Sequence, residues 1–178
     1  MRARLLVVLL IVVVGVTLDL WTKAWAEGSL KGNPSREVVA HVFHLTYAEN
    51  PHGAFSLFRG VPEWLRRGGL IVASLLAVGV IGWLLLRSST SRWMVLAFSL
   101  VLSGALGNLY DRLLLGHVRD FIDWHIDREG ARWFTWPTFN LADSYITVGV
   151  TLLVIITIFG RAHGPEAVEK RTVVERPS

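Results

Sequence analysis

Apolar residues gather into four long runs separated by polar stretches. Residues 5–18, 68–86, 93–110 and 142–159 contain no acidic or basic side chain except Asp143. The last three approach the roughly 20 residues that a helix needs to cross a bilayer core. The first run is shorter, follows Arg2 and Arg4, and leads into Ala24-Trp25-Ala26, a sequence compatible with a cleaved secretory signal. A retained helix is the better expectation, because Trp21 and Trp25 suit interfacial anchors and three further spans follow. The pattern predicts an α-helical membrane protein with four transmembrane helices.

The long connections carry patterns of their own. Residues 37–49 are rich in β-branched and aromatic side chains interrupted by polar ones, which predicts a strand or hairpin. Residues 118–123 and 131–138 have a similar character, and 62–67 suit a short interfacial helix. The expected organisation is a single membrane domain over 1–163 and a polar cytoplasmic tail over 164–178.

Composition sharpens this picture. Of the 178 residues 52% are hydrophobic and only 18% charged, where a soluble domain carries about 25% charged residues. The net charge of +4 is scattered, so nucleic acid is not an expected partner. The absence of cysteine excludes disulfides, a thiol nucleophile and cysteine-bearing metal sites, and it means that the chain is not itself a lipid-modified lipoprotein.

Charge also sets orientation. The two termini and the 87–92 loop together hold 8 Lys/Arg against 3 acids, whereas the two long connections and the helix ends beside them hold 10 against 11. This asymmetry predicts cytoplasmic termini and external long loops, with Arg66 and Arg67 running against it.

Ionisable groups near a membrane are costly and therefore mark candidate sites. Asp19 and Lys23 fall at the outer end of the first helix, Asp111 and Arg112 at that of the third, and Asp143 at the start of the fourth. Asp120 lies in the loop between the last two. Asp19 and Lys23 stack four residues apart, which snorkelling alone also explains. Gly104, Asn108 and Asp111 share a helix face, and the small residues Gly104, Ala105 and Gly107 suit close helix packing. Either Asn140 or Asp143 suits a helix cap.

Capping does not account for Asp120, an acid set in an apolar run. Two carboxylates brought together can share one proton, the charged one activating water and the neutral one donating to a carbonyl oxygen. That chemistry hydrolyses an amide with no metal or other cofactor. A metal at Asp123, His125 and Asp127 lacks a defined motif, and a Ser/Lys dyad finds no serine placed near Lys23. His41, His44 and His52 are expected as surface decoration of the outer loop.

Five motifs then fall in one order: 19–23 (DLWTK), 50–56 (NPHGAFS), 104–112 (GALGNLYDR), 118–121 (VRDF) and 136–144 (WPTFNLADS). Together they resemble the bacterial lipoprotein signal peptidase family, also called signal peptidase II, over about residues 17–146. The resemblance implies an inner-membrane aspartic endopeptidase with four transmembrane helices and an extracytoplasmic β-rich cradle. It implies removal of signal peptides from prolipoproteins by cleavage before a diacylglyceryl-modified cysteine. Carried over, the catalytic pair is Asp120 and Asp143. Asp19, Lys23, Asn50, Asn108, Asp111, Arg112, Asn140 and Ala142 fall on supporting or substrate-binding positions. The implied partners are the lipidated precursors and membrane lipid, with the enzyme a monomer. One departure is His52, which stands where the family pattern places a glycine.

A small four-helix transporter or assembly subunit is the alternative, since intramembrane acids also support proton or ion movement. The acids here gather toward one face and do not cross the bilayer.

Overall fold

The computed structural model describes residues 2–53, 60–87, 91–128 and 131–160. Four helices form the bundle: α1 (Arg2–Leu30), α2 (Glu63–Leu86), α3 (Arg92–Leu114) and α4 (Leu141–Gly160). All four are long and apolar enough to cross a membrane. The segment expected as a short interfacial helix is helical, and it runs unbroken into α2 from an N-cap at Pro62. The expected tail, 164–178, and residues 54–56 of the second motif lie outside the described residues.

At about 1.5 Å per residue, α1 is longer than the first apolar run required. Its buried residues are Gly15, Asp19, Lys23, Ala26 and Leu30, spaced three or four apart on one face. That face meets α3, the helix at the centre of the bundle. Small residues allow the approach: a side chain at Gly15 would strike Ser103, one at Gly104 the Ala142 carbonyl, and one at Gly149 the Ala97 carbonyl and Val101. The buried hydroxyls of Ser99 and Ser103 donate to Val95 O at 2.7 Å and Ser99 O at 2.8 Å, so neither is left unsatisfied. The outward faces of α1, α2 and α4 present Leu6, Leu10, Leu76, Val80, Val154 and Ile158, as expected of surface facing lipid.

Four strands, β1 (Arg36–Val39), β2 (Phe43–Asn50), β3 (Val118–Arg128) and β4 (Ala131–Thr135), form one antiparallel sheet in the order β1-β2-β3-β4. Residues 37–49 are thus a hairpin, and β3 extends beyond the predicted 118–123. The sheet caps one end of the bundle. It is fixed there by Phe121 packing on Ala26 and Leu30 of α1, with Leu45, Tyr47 and Ile122 around them. α3 passes into β3 through Gly116, whose φ of +81° suits glycine. At the other end of the bundle Arg4 donates to the carbonyls of Leu85 and Arg87, both at 2.7 Å, tying α1 to the C-terminus of α2.

Candidate active site

The sheet-capped end brings together residues far apart in sequence. Asn50 ends β2, Asn108, Asp111 and Arg112 lie in the last turns of α3, Asp120 is near the start of β3, and Asn140 to Asp143 open α4. Asp19 and Lys23 complete the set from α1. Every site residue expected from the sequence lies in this region.

Two layers can be distinguished. The first is ionic. Lys23 Nζ lies 2.8 Å from Asp19 Oδ2 and 3.5 Å from Asp111 Oδ2, with all three side chains excluded from solvent. Asp19 Oδ1 accepts the Ala142 backbone N–H at 2.9 Å, joining α1 to the first turn of α4. Gly107 is required here, because any side chain at that position would collide with the Asp19 carboxylate.

The second layer is built from amides. Asn140 and Asp143 cap α4 reciprocally: the Asp143 N–H donates to Asn140 Oδ1 at 3.0 Å, and the Asn140 N–H donates to Asp143 Oδ2 at 3.3 Å. This is the capping-box geometry in which each residue satisfies the other's backbone donor, so both candidates for the cap serve. The Asn140 side-chain amide donates to Asp120 Oδ1 at 2.7 Å, and Asn50 Nδ2 donates to Asp120 Oδ2 at 3.0 Å. Asn108 Nδ2 donates to Asp143 Oδ1 at 2.8 Å, while its Oδ1 accepts Lys23 Nζ at 2.9 Å and Asn140 Nδ2 at 3.2 Å. Asn108 therefore joins the ionic layer to the amide layer. Arg112 faces the charges of Asp143, Asp120 and Asp111 and donates to the Asn108 carbonyl at 3.4 Å.

Burial pushes the Asp120 carboxyl up to about 7, with the nearby charge of Asp143 adding to the shift. Hydrogen bonds from Asn50 and Asn140 oppose it and are overcome. Asp120 is only 2% exposed, whereas Asp143 is half-buried. Two carboxylates in unlike environments, linked through one asparagine, are equipped for general acid–base chemistry near neutral pH.

Residues 11–159 match the family model for signal peptidase (SPase) II. The chain belongs to the signal peptidase II family. Among its relatives, the lipoprotein signal peptidase of Clostridium novyi is 37% identical over 84% of this chain and 95% of its own length. That of Pseudomonas aeruginosa strain PAO1 is 37% identical over 88% and 90%. A solved bacterial membrane enzyme superposes with a TM-score of 0.70 at 29% identity, covering 88% of this chain and 90% of the other.

Sequence reasoning missed two participants. Arg119 entered only as part of the 118–121 motif, yet it binds Asp111, and Glu27 of α1 holds its other side at 3.0 Å. Two of the three histidines also differ from expectation, while His41 is exposed as expected. His44 is no surface decoration: it lies half-buried in β2 and stacks on His125 with ring centroids 4.3 Å apart. His52 is half-buried as well and donates its backbone N–H to Asn50 Oδ1 at 3.1 Å.

Proposed function

We propose that this signal peptidase II family member removes signal peptides from prolipoproteins. The scissile bond is the one immediately before the diacylglyceryl-modified cysteine. Asp120 and Asp143 are the catalytic pair, and Asp19, Lys23, Asn50, Asn108, Asp111, Arg112, Asn140 and Ala142 support them.

The observation that carries this reading is the asparagine bridge between two unlike carboxyls. Asp120, held near 7 by burial and by the charge of Asp143, is the neutral member and donates its proton to the scissile carbonyl oxygen. Asp143, whose Oδ2 accepts the Asn140 N–H at the positive end of α4 and whose Oδ1 accepts the Asn108 side-chain amide of α3, is the charged member and takes a proton from the attacking water. The resulting gem-diol collapses as the amine departs with a proton returned by Asp143, and Asp120 recovers its own. The peptide bond breaks and one water is consumed.

The membrane contributes positioning. The acyl chains hold the lipidated cysteine at the interface, and the apolar signal helix enters laterally between spans. On the charge asymmetry, both termini and the 87–92 loop are cytoplasmic and the sheet is extracytoplasmic. Labelling of Thr90→Cys only from the outside would reverse this topology.

The central test is incubation of the purified protein with a diacylglyceryl-modified prolipoprotein, followed by mass spectrometry. The expected product begins at the lipidated cysteine. An uncleaved precursor, or cleavage elsewhere, would overturn the proposal.

A further inference from the structure

Arg119 precedes Asp120 in β3 and is 7% exposed. Its backbone N–H donates to Asp111 Oδ2 at 3.0 Å, its Nε to the same oxygen at 3.3 Å, and its Nη2 to Asp111 Oδ1 at 2.7 Å. Both carboxylate oxygens of Asp111 are thereby engaged by a planar fork, the geometry in which arginine surpasses lysine. Glu27 of α1 holds Nη1 from the other side at 3.0 Å.

We infer that Arg119 is a positioning residue that acts through Asp111 to aim Lys23 at the amide layer. The inference rests on Asp120 and Asp143 being the catalytic pair. Lys23 has two buried carboxylates within reach, Asp19 at 2.8 Å and Asp111 at 3.5 Å. Because Arg119 satisfies Asp111, the contact with Lys23 stays long and the ammonium remains free to donate to Asn108 Oδ1 at 2.9 Å. That bond fixes which end of the Asn108 amide faces Asp143, so Asn108 Nδ2 donates to Asp143 Oδ1. Without the Arg119 fork, Asp111 is a buried carboxylate short of one cation and draws Lys23 toward itself. Asn108 then loses its orientation and Asp143 loses a donor. The same fork pins the first residues of β3, the strand that carries Asp120.

The charged groups facing this unit are few. Arg119 meets Asp111 of α3 and Glu27 of α1, pairs across the sheet with Glu49 of β2, and lies within electrostatic reach of Tyr47. Lys31 lies 2.8 Å from Glu49 and 3.8 Å from Glu27, and the His117 ring stands 3.7 Å from Glu49. Lys23 meets Asp19 and Asp111, and the catalytic pair meets Arg112. Removing Arg119 therefore removes a cation from a region where the remaining groups include Glu27, Asp111, Asp19, Asp120 and Asp143. Carboxyl groups hold their protons to higher pH when a neighbouring cation is lost.

The test compares Arg119→Gln and Arg119→Lys with wild type in the intact membrane enzyme, using kcat, KM and the pH dependence of kcat for a lipidated prolipoprotein, with melting curves alongside. For Arg119→Gln the expected result is a fall in kcat of about 10- to 100-fold, the size of a sub-ångström to 1 Å misplacement. KM should stay within a few-fold, and both limbs of the pH profile should move to higher pH. Arg119→Lys keeps the charge without the fork, so it should restore the limbs while recovering the rate only in part. If Arg119→Gln does not fold, Arg119→Lys carries the test through its reduced kcat with unmoved limbs. A lower melting temperature with unchanged kcat and pH limbs would overturn the inference and make Arg119 structural only. Asp120→Asn serves as the control: if it remains active, the catalytic assignment fails, independently of Arg119.

Discussion

Two pairs of aspartates lie within a few side chains of each other, and their partners differ. Asp19 and Asp111 are fully buried, and each has a cation within reach: Lys23 for both, with the Arg119 fork added for Asp111. Asp120 and Asp143 accept hydrogen bonds from Asn50, Asn108 and Asn140 and from the Asn140 backbone, all neutral donors. A buried carboxylate gripped by a cation serves as a fixed strut, because removing either partner leaves an uncompensated group in the interior. Amide donors orient a carboxylate and favour its charged form, but at Asp120 burial and the charge of Asp143 outweigh them. Residue type is the same in both layers, and partner chemistry separates the cation-bound struts from the proposed catalytic pair.

The largest expected effect breaks the amide layer. Asp120→Asn and Asp143→Asn preserve side-chain volume but remove the exchangeable proton. Each should lower single-turnover cleavage on the order of 10^3-fold or more, with folding and binding of the lipidated precursor retained. Near-normal turnover by Asp143→Asn would place the chemistry elsewhere.

The next effect breaks the ionic layer. Asp111→Asn leaves Lys23 and Arg119 sharing one carboxylate fewer in a region without solvent, and breaking a buried pair in this way costs about 3–5 kcal/mol. A clear drop in melting temperature is expected, together with a cleavage rate that is reduced yet well above that of Asp120→Asn. If the variant melted like wild type and was as inactive as Asp120→Asn, Asp111 would belong with the catalytic pair and the division into two layers would fail.

The bundle was legible because its physics is local. An uncharged run of 18 or 19 residues reads as a span without knowledge of its neighbours, and the Asp19/Lys23 spacing places both on one helix face. The aspartates were legible as costly groups at one membrane face, and the resemblance sorted their roles. What stayed hidden depends on partners distant in sequence. The partners of Arg119 emerge only when β3 is seen to fold back on α3 and α1, since Glu27 is 92 positions away. His44 reads as a loop residue until the β2–β3 register sets it opposite Asp123 and beside His125. Both Asn140 and Asp143 looked sufficient as a cap, and only the reciprocal geometry shows that the same bonds also orient the catalytic candidates.

The contrast between layers also predicts how pH acts. Asp120 is held near 7 by burial and by Asp143, so the acid should be lost as pH rises through that value. In the free enzyme kcat/KM is expected to fall above a limb near 7, about tenfold per pH unit. Stability follows the same group with the sign of a raised carboxyl. Between about pH 4 and 7 the folded chain keeps a proton that the unfolded chain has released, so stability declines as pH rises through that window and is level above it. Asp120→Asn should remove this decline, which melting curves at pH 5 and pH 8 would reveal. A cleavage profile flat from pH 6 to 9 would show that Asp120 does not serve as the acid.

The smallest effect concerns the wall beside Asp120. His52 occupies a position where the family pattern has glycine, which raises the question of whether the chain there needs a left-handed backbone. Among the described non-glycine residues only His41 has a positive φ, and the left-handed residue of this turn is Gly53, at +75°. His52 contributes its backbone N–H, which fixes Asn50 Oδ1 at 3.1 Å and so turns Asn50 Nδ2 toward Asp120. Any residue other than proline supplies that N–H, so His52→Gly should leave the cleavage rate within about threefold, the scale of less than 1 kcal/mol. Gly53→Ala should cost more, because alanine pays roughly 1–2 kcal/mol in the left-handed region and its Cβ would press within 3.1 Å of Leu70 on α2. Measured side by side, the two variants separate backbone from side chain: a larger loss in His52→Gly than in Gly53→Ala would mean that the imidazole itself takes part in holding Asn50, and the amide layer would then include a group able to change its own charge.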